Sequence, residues 1–221
     1  MNGMPALVRY TLATALHSQR YVAPMLLFAG LLGVLTVNGN GPLPPAYAAS
    51  AGALFVCSTW LTTSMLAMDA PSQRAIVAAN VGGTAKTLIG TVVAALLSCL
   101  GLLALGLLFP LWVGAYDPLP ADFLLGAEVQ LTGALAGAAV GVLCSRLVFR
   151  RQGYALVTAL TLVLALLFIK GLPPMNLLLT ELATTPDSFA LIPEATAQLI
   201  LSIALLVLSA TVAHAVTLYR D

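Results

Sequence analysis

Six stretches of this chain are long and apolar enough, or nearly so, to cross a bilayer: residues 21–37, 48–68, 87–109, 124–148, 154–169 and 198–218. A hydrocarbon core about 30 Å thick needs roughly 17–25 mostly apolar residues per crossing. Within it every backbone N–H and C=O must find a partner inside its own segment, so each stretch is expected to be helical. The fifth is the shortest and must borrow flanking residues or thin the bilayer locally. Composition supports the same solvent: 60% of the 221 residues are hydrophobic and 8% charged, against roughly a quarter charged in soluble domains. The expectation is an all-α membrane protein, multi-pass, with membrane lipids as its surroundings. A net charge of +1 and the absence of any Lys/Arg run interleaved with aromatics argue against a nucleic-acid partner.

The few cations are unevenly placed. Assigning inter-span segments to alternate sides puts Arg9, Arg20, Arg74, Lys86, Arg146, Arg150, Arg151 and Arg220 on one side and Lys170 alone on the other, eight of the nine. The positive-inside rule then places both termini in the cytoplasm. Asp117, Asp122, Glu181, Asp187 and Glu194 fall on the outer side, though acids weigh little in that rule. Ala46-Tyr47-Ala48 has the letters of a signal-peptidase site, but it follows a Gly/Pro-rich gap too far beyond the first apolar run, so the first span is expected to be retained.

Before the first span, Met4, Leu7, Val8, Leu12 and Ala15 gather on one helical face, with Arg9, His17 and Arg20 opposite. Two readings stand for residues 1–20: an amphipathic helix in the inner interface, or the cytoplasmic start of the first span. The longest polar interruption in the first half, 69-DAPSQRAIVAANVGGTAK-86, has its own punctuation. Pro71 suits a first helical turn, an apolar run continues it, Gly82-Gly83 stops it, and Thr84 is placed to cap the next span. A short helix over about 71–80 followed by a sharp turn would offer Gln73, Arg74, Ala75, Ile76 and Asn80 to a cytoplasmic partner. Gly82-Gly83-Thr84-Ala85-Lys86-Thr87 shares letters with a phosphate loop, but Ala85 stands where the motif needs Gly and no strand precedes it. No nucleotide site is expected on this chain.

This order of elements, with Ser72-Gln73-Arg74-Ala75 through Gly82-Gly83 between spans two and three, resembles the membrane subunits of type-2 ABC exporters, and the likeness covers nearly the whole chain. It implies an N-terminal connecting helix over 1–20, then a single six-helix transmembrane domain over 21–221. A coupling helix lies at about 71–80, and an outer re-entrant loop at about 171–197 closes the exit. It implies a permease subunit in the bacterial plasma membrane, paired with a second copy or a similar permease, and no enzyme by itself. ATP and Mg would be bound by a separate ABC ATP-binding subunit. Independently of the resemblance, Leu177, Leu178, Leu179 and Leu182, bracketed by Pro173-Pro174 and Pro186, are too apolar for a solvated linker.

Within the spans, Gly133, Gly137 and Gly141 form two overlapping G-x-x-x-G units that admit a close helix neighbour, here read as packing within the subunit rather than a dimer seam. Ser58, Thr59, Thr62 and Thr63 share a side of span two, beside Trp60 and Ser64. They either line a pathway or bond to backbone and neighbouring helices. Glu128 is the one acid within or beside the apolar zone, facing the pathway or snorkelling outward, and His214 reads as a packing residue. Pro110 is expected to end or kink span three, with Trp112 and Tyr116 in the outer aromatic belt. Cys57, Cys99 and Cys144 lie in apolar spans without metal spacing and read as core. The alternatives are a secondary transporter, for which no inverted repeat or midplane ion pair is found, and a non-transporting scaffold or sensor subunit. An intramembrane enzyme lacks G-x-S-x-G, H-E-x-x-H or a paired acidic motif.

Overall fold

The computed structural model describes residues 3–36, 42–68, 71–113, 119–149 and 151–219, and all regular structure among them is helical. Nine helices follow one another in these residues: α1 (Gly3–Ser18), α2 (Val22–Thr36), α3 (Pro44–Leu66), α4 (Pro71–Val81), α5 (Thr84–Val113), α6 (Pro120–Leu143), α7 (Gln152–Phe168), α8 (Met175–Thr184) and α9 (Ser188–Leu218). Asp117, Tyr116, Arg150 and Arg220 lie outside the described residues. The helices α3, α5, α6 and α9 are each long and apolar enough to cross a membrane. The pair α1 and α2 qualifies only together, bent by 76° where Gln19 takes a φ of 52°. At 15 and 17 residues, α2 and α7 would each reach only about 22–26 Å at the α-helical rise. The chain is thus a multi-pass helical membrane protein.

Helix ends extend beyond the apolar stretches because polar and proline caps, invisible to hydropathy, continue the helical backbone. Pro44 and Pro120 open α3 and α6, where a missing N–H costs nothing. The Leu119 N–H is accepted by Asp122 Oδ2 at 2.8 Å, and Asp187 caps α9 by accepting from the Phe189 N–H at 3.0 Å. As a result α9 starts at Ser188, ten residues before the apolar run, and takes up the last part of the expected outer loop. Pro110 does not end its helix, which runs on to Val113.

Contacts between helices fix their relative directions. On α6, a Cβ added at Gly133, Gly137 or Gly141 would meet the backbone oxygens of Ala51, Phe55 and Thr59 at 2.8, 2.5 and 3.0 Å. The pairing advances four residues on both helices at each step, so α3 and α6 run parallel, their backbones in near contact along this glycine ridge. Asp122 with Ser188 and Glu128 with Thr196 make α6 and α9 parallel too. In contrast, Gly106 faces Gln130 and Leu107 faces Gly126, so α5 runs opposite to α6. In lipid the hydrophobic effect gives no drive to helix association, so close packing and interhelical hydrogen bonds hold such a bundle. The inner core joins Phe28 and Leu32 of α2, Leu54 and Cys57 of α3, and Ala95 and Cys99 of α5. At the other end α8 inserts Leu178 and Leu182, both fully buried, among Ala51, Leu125, Val129 and Ala195.

These directions sort the charges by end of the bundle. The Arg20 and Arg74 guanidinium groups donate to Ala67 O and Leu66 O, both at 3.2 Å, at the C-terminal end of α3, where a helix favours cations. Arg146 follows the end of α6, and Lys86 sits in the first turn of α5. Asp122, Glu128, Glu181, Asp187 and Glu194 occupy the opposite end, with Lys170.

Candidate functional site

Two features stand at the cation-rich end. The first is α4, which connects the two long helices α3 and α5. Its stop is a paired-glycine cap: the Gly82 and Gly83 N–H groups both donate to Ala78 O, at 3.0 and 2.8 Å, with Gly82 at φ 87° and Gly83 at φ 135°. Only glycine enters that region without strain. Because Gly83 already occupies the position ahead of the first turn, Thr84 is the first helical residue of α5 rather than its cap. Within α4 the polar residues divide. Gln73 donates to the Tyr10 hydroxyl at 2.7 Å, tying α4 to α1, and Arg74 holds the end of α3. Ala75, Ile76, Ala79 and Asn80 face outward, with Ile76 64% exposed.

The second is a cavity of about 470 Å³ between α3, the turn after α6, and α7. Thr59, Trp60, Thr63 and Ser64 supply its α3 wall, Ser145 and Arg146 its mouth, and Ala155, Ala159 and Val163 part of its α7 wall; Arg20 also reaches it. The hydroxyls on the wall are held by their own helix: Thr59 donates to Phe55 O at 2.9 Å and Thr63 to Trp60 O at 2.8 Å. Ser145 differs, being 1% exposed with an Oγ that has no hydrogen-bond partner. A buried hydroxyl without a partner is costly, and this one is closed off from the cavity itself.

The hydroxyl row of span two therefore splits. Thr59 and Thr63 reach the cavity, whereas Ser58 and Thr62 turn to α6. Ser58 Oγ lies against Gly137 and donates toward Gly133 O at 3.4 Å, and Thr62 Cβ approaches Gly141. Residues spaced four apart share a face, so adjacent pairs such as 58/59 and 62/63 straddle two faces about 100° apart. Glu128 lies at the far end of the bundle, away from the cavity, and accepts from Thr196 Oγ1 at 3.1 Å. Nearby, Gln198 donates to Glu194 at 2.6 Å. Glu181 on α8 has its pKa raised, first by desolvation and then by the charge of Glu194.

Among the described residues no group of His, Cys, Asp and Glu is arranged to hold a metal ion, and the three cysteines are free and buried. Ser145 and the α7 wall carry no signal in the sequence; Arg146 stands out only as one of the end charges. No family model, curated protein or solved structure matches the chain.

Proposed function

We propose that this chain is the membrane-spanning permease subunit of an ATP-driven exporter of the type-2 ABC class. It crosses the membrane six times, with α2, α3, α5, α6, α7 and α9 as the spans, α1 along the inner interface and both termini in the cytoplasm. The carrying observation is α4: a separate helix of eleven residues, stopped by a glycine pair, at the cation-rich end between two long helices. A plain connection between α3 and α5 needs no such helix. A partner that pushes on α4 moves the start of α5 directly, and α1 through the Gln73–Tyr10 hydrogen bond. That is what a coupling element to an ATP-binding subunit must do, with ATP and Mg held by the partner and the permease pathway formed with a second subunit. Val157 and Leu164, exposed on α7 outside the cavity, mark the face offered to that second subunit. The bundle's end-sorted charges support the plasma-membrane orientation through the positive-inside rule, and α8 fits the role of an outer closure.

Co-expression with an ATP-binding subunit encoded beside it tests this reading. The two should purify together and hydrolyse ATP only together. Ile76→Glu should reduce recovery of the partner roughly 10- to 30-fold, the scale of losing an interface anchor, while leaving the permease folded. ATP hydrolysis by the chain alone would overturn the proposal, as would solute movement by the chain alone driven by an ion gradient.

A further inference from the structure

The cavity beside α3 has chemistry of its own that does not depend on transport. Its mouth is cationic and polar. Arg146 is exposed there, and Arg20 reaches it from the turn before α2. Its depth is apolar. The α7 residues from Ala155 to Val163 run along it for about 12 Å at the helical rise, facing Val56 and Trp60 of α3. Since α7 runs from the mouth inward, polarity falls steadily with depth. Free phosphate would leave that apolar wall unfilled, and an uncharged chain would leave the cationic charge of Arg20 and Arg146 unmatched. The opening lies between helices of a membrane protein, where acyl chains are the surrounding solvent.

We propose that this cavity binds an anionic acyl lipid, its phosphate between Arg20 and Arg146 and one acyl chain along α7. A guanidinium suits phosphate because its donors form a planar fork matched to two oxygens. The cation-rich end places those groups at headgroup depth while the α7 wall lies at chain depth.

The test uses the full chain in mild detergent, delipidated and titrated with dioleoyl phosphatidylglycerol, dioleoyl phosphatidylcholine or glycerol phosphate, with bound lipid counted by native mass spectrometry. Phosphatidylglycerol should be retained in preference to phosphatidylcholine, and glycerol phosphate should neither bind nor compete. Arg146→Gln, an exposed change that leaves packing intact, should weaken phosphatidylglycerol roughly two- to fivefold, the size of one partly exposed ion pair, and leave phosphatidylcholine unchanged. Ala159→Phe should abolish the tight phosphatidylglycerol site by filling the chain end, with the thermal unfolding midpoint checking that the fold persists. Lys170→Gln, at the opposite end, should change nothing. Equal retention of both lipids, indifference to Arg146→Gln, or competition by glycerol phosphate would each overturn the proposal.

Discussion

At the scale of single residues, the glycines of α6 are defined by what stands opposite them. A methyl group at Gly137 would meet Phe55 O at 2.5 Å, an atom of the neighbouring backbone that cannot swing away, so the two helices would have to separate. Gly137→Ala should therefore destabilise the chain by about 1–3 kcal/mol. Gly101→Ala, with nothing within 4 Å, should be neutral or slightly stabilising, because alanine is the better helix former. Thermal unfolding in detergent separates them, and equal effects would remove the glycine ridge as the reason α3 and α6 approach. The same measurement sorts the hydroxyls: Thr62→Phe should resemble the glycine change, while Thr63→Phe, on the cavity side, should spare stability. The G-x-x-x-G spacing is legible in the chain, but its partner is not, because small residues report that something comes close without saying what.

Elements behave differently from residues because their ends and their docking obey different rules. The stop of α4 is legible from Gly82-Gly83, since a left-handed cap is a local demand that tertiary structure does not alter. The docking of α8 is legible only as an apolar loop; that Leu178 and Leu182 insert against α3, α6 and α9 follows from the gap those helices leave. Glu181 rides on α8, and burial together with the charge of Glu194 raises its pKa above the ordinary 4.5. A carboxyl raised in the docked state prefers to be protonated there, so docking is weakest when both acids are ionised. It strengthens as pH falls through the raised pKa toward the ordinary value. Hydrogen exchange in α8, corrected for the intrinsic pH dependence, should slow as pH is lowered from 7 toward the ordinary 4.5. In Glu181→Gln that trend should vanish, and a trend that survives the substitution would assign it to another group.

Over the whole molecule, the relation between helix direction and charge is the strongest regularity. Three parallel helices, α3, α6 and α9, end near the arginines and begin near the acids, with α5 reversed between them. Placed in a bilayer by the positive-inside rule, this predicts that Asn80→Cys and Gln152→Cys, in a chain whose native cysteines are replaced by alanine, resist a membrane-impermeant thiol reagent in intact cells. Asp187→Cys should react. Labelling at position 80 from outside would invert the orientation and move α4 away from any cytoplasmic ATPase.

The amino-acid sequence by itself determined the helical class, the location of the apolar segments, a short helix at about 71–80 and its glycine stop, because each depends on local backbone chemistry or on the cost of exposing polar groups to lipid. The shared end of Arg20, Arg74 and Arg146 agrees with assigning the inter-span segments to alternate sides. Only the tertiary structure decided that α6 lies parallel on α3, that Ser58 and Thr62 are spent on that contact while Thr59 and Thr63 are not, and that Ser145, Arg146 and α7 enclose a cavity with span two. Those outcomes depend on which apolar face meets which. In a chain where nearly every face is apolar, hydrophobicity does not discriminate among them, and shape and a few hydrogen bonds make the choice.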